Sequence, residues 1–323
     1  MRDLPASVHI REVGPREGIQ LERQPIETAA KARIVDALAE TGLQEIEFIS
    51  FVNPERVPSM ADAEQVAATI RPKPGVKYEG IWLNLQGLDR ALALRDKPLH
   101  LRPTCGIPAS STFAQKNTNR STEQAIDELP KWAARYKELG FEDVELLISA
   151  AFGCNYEGDV PPARVFSLVE IGIEKAAEAG MPVREIELLD TMGWGNPLRI
   201  KQVVGGIQDR WPDTPISLHL HDTRGTGLAN FMAALEMGVA SFDAAVGGWG
   251  GCPFAEHKGA AGNISTEDTV FLCQELGVST GIDLNALIEV ARLVESTIGR
   301  GLPGKVKTGG NLANYRARAA VAA

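Results

Sequence analysis

Short apolar runs alternate with stretches of helical periodicity along the whole chain, and this alternation predicts the fold. The run Val8-His9-Ile10-Arg11-Glu12-Val13 reads as a strand, breaks at the turn-forming pair Gly14-Pro15, and is followed by apolar residues at helical spacing over 28–41 with Gly42 as the stop. The same unit then recurs. Strands are expected at 45–50, 78–83, 99–102, 143–148, 186–190, 216–222 and 241–246, and helices at 60–70, 88–94, 122–139, 161–179, 197–209, 227–237 and 266–276. A long polar connection separates the fourth strand from its helix. Eight strand and helix units in about 280 residues predict an α/β fold of the (β/α)8 TIM-barrel class. The open doubly wound alternative calls for a GxGxxG turn after an early strand, and Gly14-Pro15-Arg16-Glu17-Gly18 does not supply one. Residues 1–280 are thus expected to form the barrel. Residues 281–323 read as a C-terminal helical extension, with a helix over 284–299 and a Gly-rich, basic tail that is either a solvated end or a flap or subunit contact.

Composition narrows the function classes. Hydrophobic residues at 44% and charged residues at 23% are ordinary for a folded globular chain. A formal charge of −9 argues against a nucleic-acid partner, whose phosphates call for a net basic face. The chain starts without the apolar run of a secretory signal and contains no stretch of about 18 apolar residues, so no membrane partner is expected and a cytoplasmic location is. Cys105, Cys154, Cys252 and Cys273 are scattered without a CxxC pair, which predicts reduced thiols rather than a zinc ribbon or redox motif.

Candidate chemistry gathers where strands end. In Ile216-Ser217-Leu218-His219-Leu220-His221-Asp222 the alternation of a strand turns His219 and His221 the same way, a ready pair of metal ligands. A bare His-x-His is equally compatible with one hydrogen-bonded core histidine and one polar strand-end group. The C-terminal mouth of a barrel would also collect Arg16, Glu17, Glu47, Ser50, Asp190, Thr191 and Asp222, the loop of 247–253, and Asn263. Two histidines, a carboxylate and an amide suit an octahedral divalent cation, Mg2+ or Mn2+; Zn2+ is less suited without a thiolate. Plainer roles exist for each: a salt bridge to a neighbouring Arg for Glu17, and core hydrogen bonds for Glu47 and Asp190. Cys252 sits among glycines and a proline, and reads either as a proton donor or acceptor or as a small residue that a tight loop requires.

Five motifs then carry a resemblance. Residues 12–20 (EVGPREGIQ), 46–52 (IEFISFV), 218–223 (LHLHDT), 250–254 (GGCPF) and 261–268 (AGNISTED) together resemble 3-hydroxy-3-methylglutaryl-CoA lyases, in that family's order from the first strand to the last barrel helix. The resemblance implies a divalent-metal-dependent retro-Claisen cleavage of 3-hydroxy-3-methylglutaryl-CoA, or a close analogue, to acetyl-CoA and a 3-oxo acid. It implies Glu17, His219, His221 and Asn263 as metal ligands, Arg16 as the group that stabilises the acetyl-CoA enolate, Cys252 as the loop thiol that moves a proton, and Glu47 and Asp190 as supporting or proton-handling carboxylates. The segment 113–119 resembles the family's and offers Lys116, Asn117 and Asn119 to the CoA arm. The partners expected are a small acyl-CoA substrate and further copies of the chain, as a dimer or larger homo-oligomer. Other readings are a lyase for a different tertiary 3-hydroxyacyl-CoA, a Claisen-condensing synthase of the same superfamily, or an inactive metal- or acyl-CoA-binding protein. Two departures bear on this choice: the family's Arg-Asp-Gly is here Arg16-Glu17-Gly18, and the loop between Cys252 and Asn263 is about two residues longer than the family usually carries.

Overall fold

Runs buried on both faces produce the parallel strands of this protein, and β-strand β9, Ile216–His219, is the clearest, with all four residues buried. The computed structural model describes residues 4–251 and 262–322. In chain order the first elements are β1 (His9–Glu12), α1 (Gly14–Leu21), α2 (Thr28–Ala39), β2 (Glu45–Ser50), α3 (Ala63–Thr69), β3 (Lys77–Ile81) and α4 (Leu85–Leu92). Next come β4 (Thr104–Pro108), α5 (Ser111–Thr118), α6 (Thr122–Glu138), β5 (Val144–Ser149), a short hairpin of β6 (Gly153–Cys154) and β7 (Gly158–Asp159), α7 (Pro162–Glu178) and β8 (Val183–Leu189). After α8 (Pro197–Arg210) and β9 the chain continues through α9 (Gly227–Glu236), β10 (Ser241–Ala244), α10 (Thr266–Glu275), α11 (Leu284–Ile298), α12 (Val306–Gly309) and α13 (Leu312–Ala322). Among the described residues no helix is long and apolar enough to cross a membrane.

The chain divides into two compact units. One is built on residues 101–243, where β4, β5, β8, β9 and β10 pair in parallel in that order. In β8 the buried Ile186 and Leu188 alternate with Glu185 and Glu187, so the charged side chains share the opposite face. Register matters here: Asp243 of β10 and Leu189 of β8 are the Cα partners of His219. A polar side chain on β10 therefore stands directly beside the histidine.

The other unit comprises residues 6–100, 244–250 and 264 onward. Its strands pair in parallel as β3-β2-β1, with a register shift between Glu47 and Ile49. Helix α11 buries Leu284, Leu287, Ile288, Ala291 and Val294, is capped by the Asp283 side chain, and stops at Gly299, whose φ of 72° a side chain would resist.

Four elements differ from the sequence expectation. The fourth strand is Thr104–Pro108, not 99–102, where only His100 makes an isolated bridge, to Glu79. Pro103 interrupts the apolar run that the sequence offers, and Gly106 and Pro108 disguise the real strand, which pairs with β5 along its full length. The polar connection after it contains α5, capped by Ser110. Helix α1 starts directly after β1, with Pro15 in its first turn, so Arg16 and Glu17 sit on a helix rather than in a loop. The C-terminal tail is helical, as α12 and α13.

Candidate active site

In the unit of residues 101–243 regular pairing stops at His219. His221 follows in an isolated antiparallel bridge with Asn263, and the Asp222 N–H donates to the Gly262 carbonyl at 2.6 Å. All three residues, His219, His221 and Asn263, are buried. The two imidazoles meet Nε2 to Nε2 at 3.1 Å. On its other side the His219 ring brings Nδ1 to 2.9 Å from Asp243 Oδ2. A carboxylate at that distance accepts the Nδ1 proton, and a neutral imidazole that carries its proton on Nδ1 has a lone pair on Nε2. That lone pair accepts the Nε2–H of His221 when the second ring carries its proton there. Two neutral imidazoles can equally turn both Nε2 lone pairs on one ion, whose cis ligand atoms in an octahedron with bonds of ~2.1 Å lie roughly 3 Å apart. The residues present fit a divalent cation.

A second group of possible ligand atoms includes Asp243: Glu187, His219 and Asp243 bring theirs within 4.8 Å of one another. Glu187 is committed elsewhere, since Arg102 Nη2 donates to its Oε2 at 2.8 Å while Arg102 Nε pairs with Glu145 and Arg184 pairs with Glu145 in turn.

Asp190, just past β8, is wholly buried. Burial pushes its carboxyl up to about 6, against the pull of N–H donors from Gly195 and Trp194 and of the nearby His219 and Arg224. Its Oδ1 accepts those N–H groups at 3.0 and 2.8 Å, and its N–H donates to the His219 carbonyl. Oδ2 has no hydrogen-bond partner among the described residues. A carboxyl that titrates near neutrality with one oxygen unused is equipped to pass a proton.

The loops beside this cluster are tied together. Arg224 donates to the Met192 and Gly193 carbonyls and lies over Trp194, whose Nε1 donates to Asn155 Oδ1 at 2.7 Å. Lys116 is exposed, with its ammonium 4.7 Å from the Tyr156 ring centroid, and Asn117 is half-buried. Asn119 ends α5 in the left-handed region, at φ 57°, and accepts a bond from Gln115 Nε2.

In the other unit Arg16 joins the two acids. Its Nε lies 2.5 Å from Glu47 Oε1 and its Nη2 3.0 Å from Glu17 Oε1, and all three side chains are largely buried. Both carboxylates hold the guanidinium in one orientation, the requirement for an anion-stabilising group. The segment leading to residue 252 packs on the same helix: a Cβ on Gly18 would collide with the Trp249 ring at 2.0 Å, and one on Gly250, φ 95°, would meet Glu17 Cβ at 2.7 Å. Cys252 lies outside the described residues, as do His257 and Lys258. Glu12 anchors the turn that precedes them. Its Oε1 accepts the Gly14 and Val246 N–H groups and its Oε2 the Thr266 hydroxyl, and burial pushes its carboxyl up to about 8.

Asp243, Glu187 and Arg102 are absent from the sequence-based site. Asp243 had a visible signal, an acid in the middle of an apolar strand next in order to the histidine strand; Glu187 and Arg102 become meaningful only once the register is known.

Eight parallel strands interleaved with helices among the described residues define a TIM-barrel protein, and the buried His-x-His pair backed by a carboxylate is its candidate cation site. The HMGL-like family model matches residues 7–294, and the chain belongs to that family. It is 37% identical over 302 residues to hydroxymethylglutaryl-CoA lyase YngG of Bacillus subtilis, covering 93% of this chain and 96% of that one. A Pseudomonas aeruginosa 3-hydroxy-3-isohexenylglutaryl-CoA/hydroxymethylglutaryl-CoA lyase is 38% identical over 300 residues, 92% of this chain and 95% of its own. The crystal structure of the Bacillus subtilis HMG-CoA lyase superposes with a TM-score of 0.83 at 36% identity, over 94% of this chain and 98% of that one.

Proposed function

We propose that this chain is a divalent-metal-dependent carbon–carbon lyase that cleaves 3-hydroxy-3-methylglutaryl-CoA, or a close analogue, to acetyl-CoA and a 3-oxo acid. The observation that carries the reading is the meeting of His219 and His221 at Nε2, with Asp243 on the far side of the first ring. His219, His221 and Asn263 hold the cation, with Glu17 as the ligand that the family resemblance adds. Two imidazoles with an amide and a carboxylate, and no thiolate, suit octahedral Mg2+ or Mn2+ better than tetrahedral zinc. When bound, the cation supplies Lewis acidity at the substrate's 3-hydroxyl and a neighbouring oxygen.

The remaining work falls to the chain. A base removes the hydroxyl proton, the C2–C3 bond breaks, and its electron pair passes to the thioester as an enolate while C3 becomes a ketone. Arg16, held by Glu47 and Glu17, stabilises the enolate oxygen. Cys252 delivers the proton that turns the enolate carbon into the methyl group of acetyl-CoA. Asp190, with its carboxyl near 6 and a spare oxygen, relays protons at neutral pH. Lys116, Asn117 and Asn119 meet the CoA arm. The uncovered apolar side chains of α13, Leu312, Tyr315 and Val321, support a homo-oligomer.

The test is turnover. Purified protein with Mg2+ or Mn2+ is offered 3-hydroxy-3-methylglutaryl-CoA and 3-hydroxy-3-isohexenylglutaryl-CoA, and acetyl-CoA release is measured. Release from the first is the expected result. Glu17, a methylene longer than the family's aspartate, favours one second reading, a different tertiary 3-hydroxyacyl group. Release from the second substrate alone would select that reading, and silence with both and with a panel of other 3-hydroxy-3-alkyl acyl-CoA thioesters would reject the lyase.

A further inference from the structure

The side of His219 away from the candidate cation is as constructed as the side that faces it. Register makes Asp243 the Cα partner of His219, its Oδ2 lies 2.9 Å from Nδ1, and both residues are shielded from water. Glu187, on β8, brings a carboxylate oxygen within 4.8 Å of ligand atoms of His219 and Asp243. Two uncompensated carboxylates against one imidazole would make the Nδ1 side itself attractive to a cation. Arg102 removes that possibility by pairing with Glu187 at 2.8 Å. It is held by Glu145, whose other partner, Arg184, has a side chain 40% exposed. A chain of alternating charges thus runs from the surface to the back of His219 and leaves one carboxylate, Asp243, to accept the ring proton.

We propose that Asp243 is the positioning residue that holds His219 in its Nδ1–H tautomer and so keeps Nε2 open toward the cation, while the Arg102–Glu187 pair keeps cations off the Nδ1 side. The inference rests on His219 and His221 being the ligands. Metal-ligating histidines gain orientation and basicity from such a carboxylate. An amide in its place can turn its NH2 toward Nδ1 and drive the ring proton to Nε2, onto the lone pair that the metal needs.

The experiment uses the full chain, stripped of metal with a chelator. Mn2+ is titrated with free ion read by electron paramagnetic resonance, and the histidine tautomers are read from long-range proton–nitrogen correlations. Asp243→Asn is expected to weaken Mn2+ binding about 10- to 100-fold and to move the His219 proton to Nε2, with the Tm of the metal-free chain unchanged. Asp243→Glu, which keeps the charge, is expected to recover most of the affinity. Glu187→Gln is expected to leave affinity within about threefold of wild type, because Arg102 already neutralises that carboxylate. Wild-type affinity in Asp243→Asn, or an unmoved tautomer, would overturn the proposal; so would Glu187→Gln weakening the metal as much as Asp243→Asn. His219→Ala separates the two levels. If it still binds Mn2+ like wild type, the ligand reading has failed, whereas loss there with normal binding in Asp243→Asn means that only the positioning role has failed.

Discussion

Glu12 and Asp190 are both fully buried carboxylates at the ends of parallel strands, and burial raises both, yet their surroundings use them in opposite ways. Glu12 spends both oxygens on three donors, from Gly14, Val246 and Thr266, and so joins β1, the turn at 246–248 and α10. Asp190 spends one oxygen on two backbone N–H groups and keeps the other unpaired among the described residues, just behind the histidine strand. A saturated buried acid is architecture. One with a spare acceptor pays for an unsatisfied group, and such a cost is found where chemistry uses it.

The largest effect that separates the two belongs to Glu12. Glu12→Ala strands three buried donors and is expected to cost about 3–5 kcal/mol in urea unfolding. Glu12→Gln sharpens the point through pH. Because the folded carboxyl titrates near 8 and the unfolded one near 4.5, the folded chain keeps a proton that the unfolded chain releases between those values. The associated stability is complete below pH ~4.5 and lost as pH rises through about 8, an amount on the order of 3–5 kcal/mol. In the Gln variant that portion of the slope should vanish; identical slopes in urea unfolding from pH 5 to 8.5 would show that Glu12 does not titrate there.

A smaller loss is expected at Asp190, and in turnover rather than stability. Asp190→Asn keeps the acceptor for the Trp194 and Gly195 N–H groups and removes only the titrating oxygen. Turnover should fall about 100-fold, the scale of one proton-transfer group, with Mn2+ affinity little changed. Equal losses of turnover and of metal affinity would make Asp190 a support for His219, its backbone neighbour, and would erase the contrast with Glu12.

The same contrast explains what could be read without coordinates. Strand and helix alternation made the (β/α)8 class legible, and face alternation made His219 and His221 a pair, because both depend on local period alone. The fourth strand was misplaced because Gly106 and Pro108 carry no strand signal, and its pairing with β5 is a long-range fact. Helix α1 was hidden by Gly14-Pro15, which reads as a turn and serves as a helix start. Asp243, Glu187 and Arg102 escaped for a deeper reason. Which buried charge meets which depends on the register between strands, and no single segment contains that information. Sequence pattern paired the two histidines that meet at Nε2; only strand pairing revealed the charged side chains beside them.

Lys116 gives the smallest expected effect and tests the contrast at its exposed limit. Its ammonium lies over the Tyr156 ring on an exposed side chain, where such a contact is worth about 0.5–1 kcal/mol. If it meets a CoA phosphate, that contact is equally strong in ground and transition states, so Lys116→Ala should raise KM about 3- to 10-fold and leave kcat unchanged. Salt supplies the control, because an exposed charge pair is screened at high ionic strength and the difference in KM should shrink as salt is added. An unchanged KM at low salt would leave Lys116 as a brace for the loop that carries Tyr156. A fall in kcat would mean that this loop reaches the reacting atoms, and that exposed side chains, as well as buried ones with spare acceptors, take part in the chemistry.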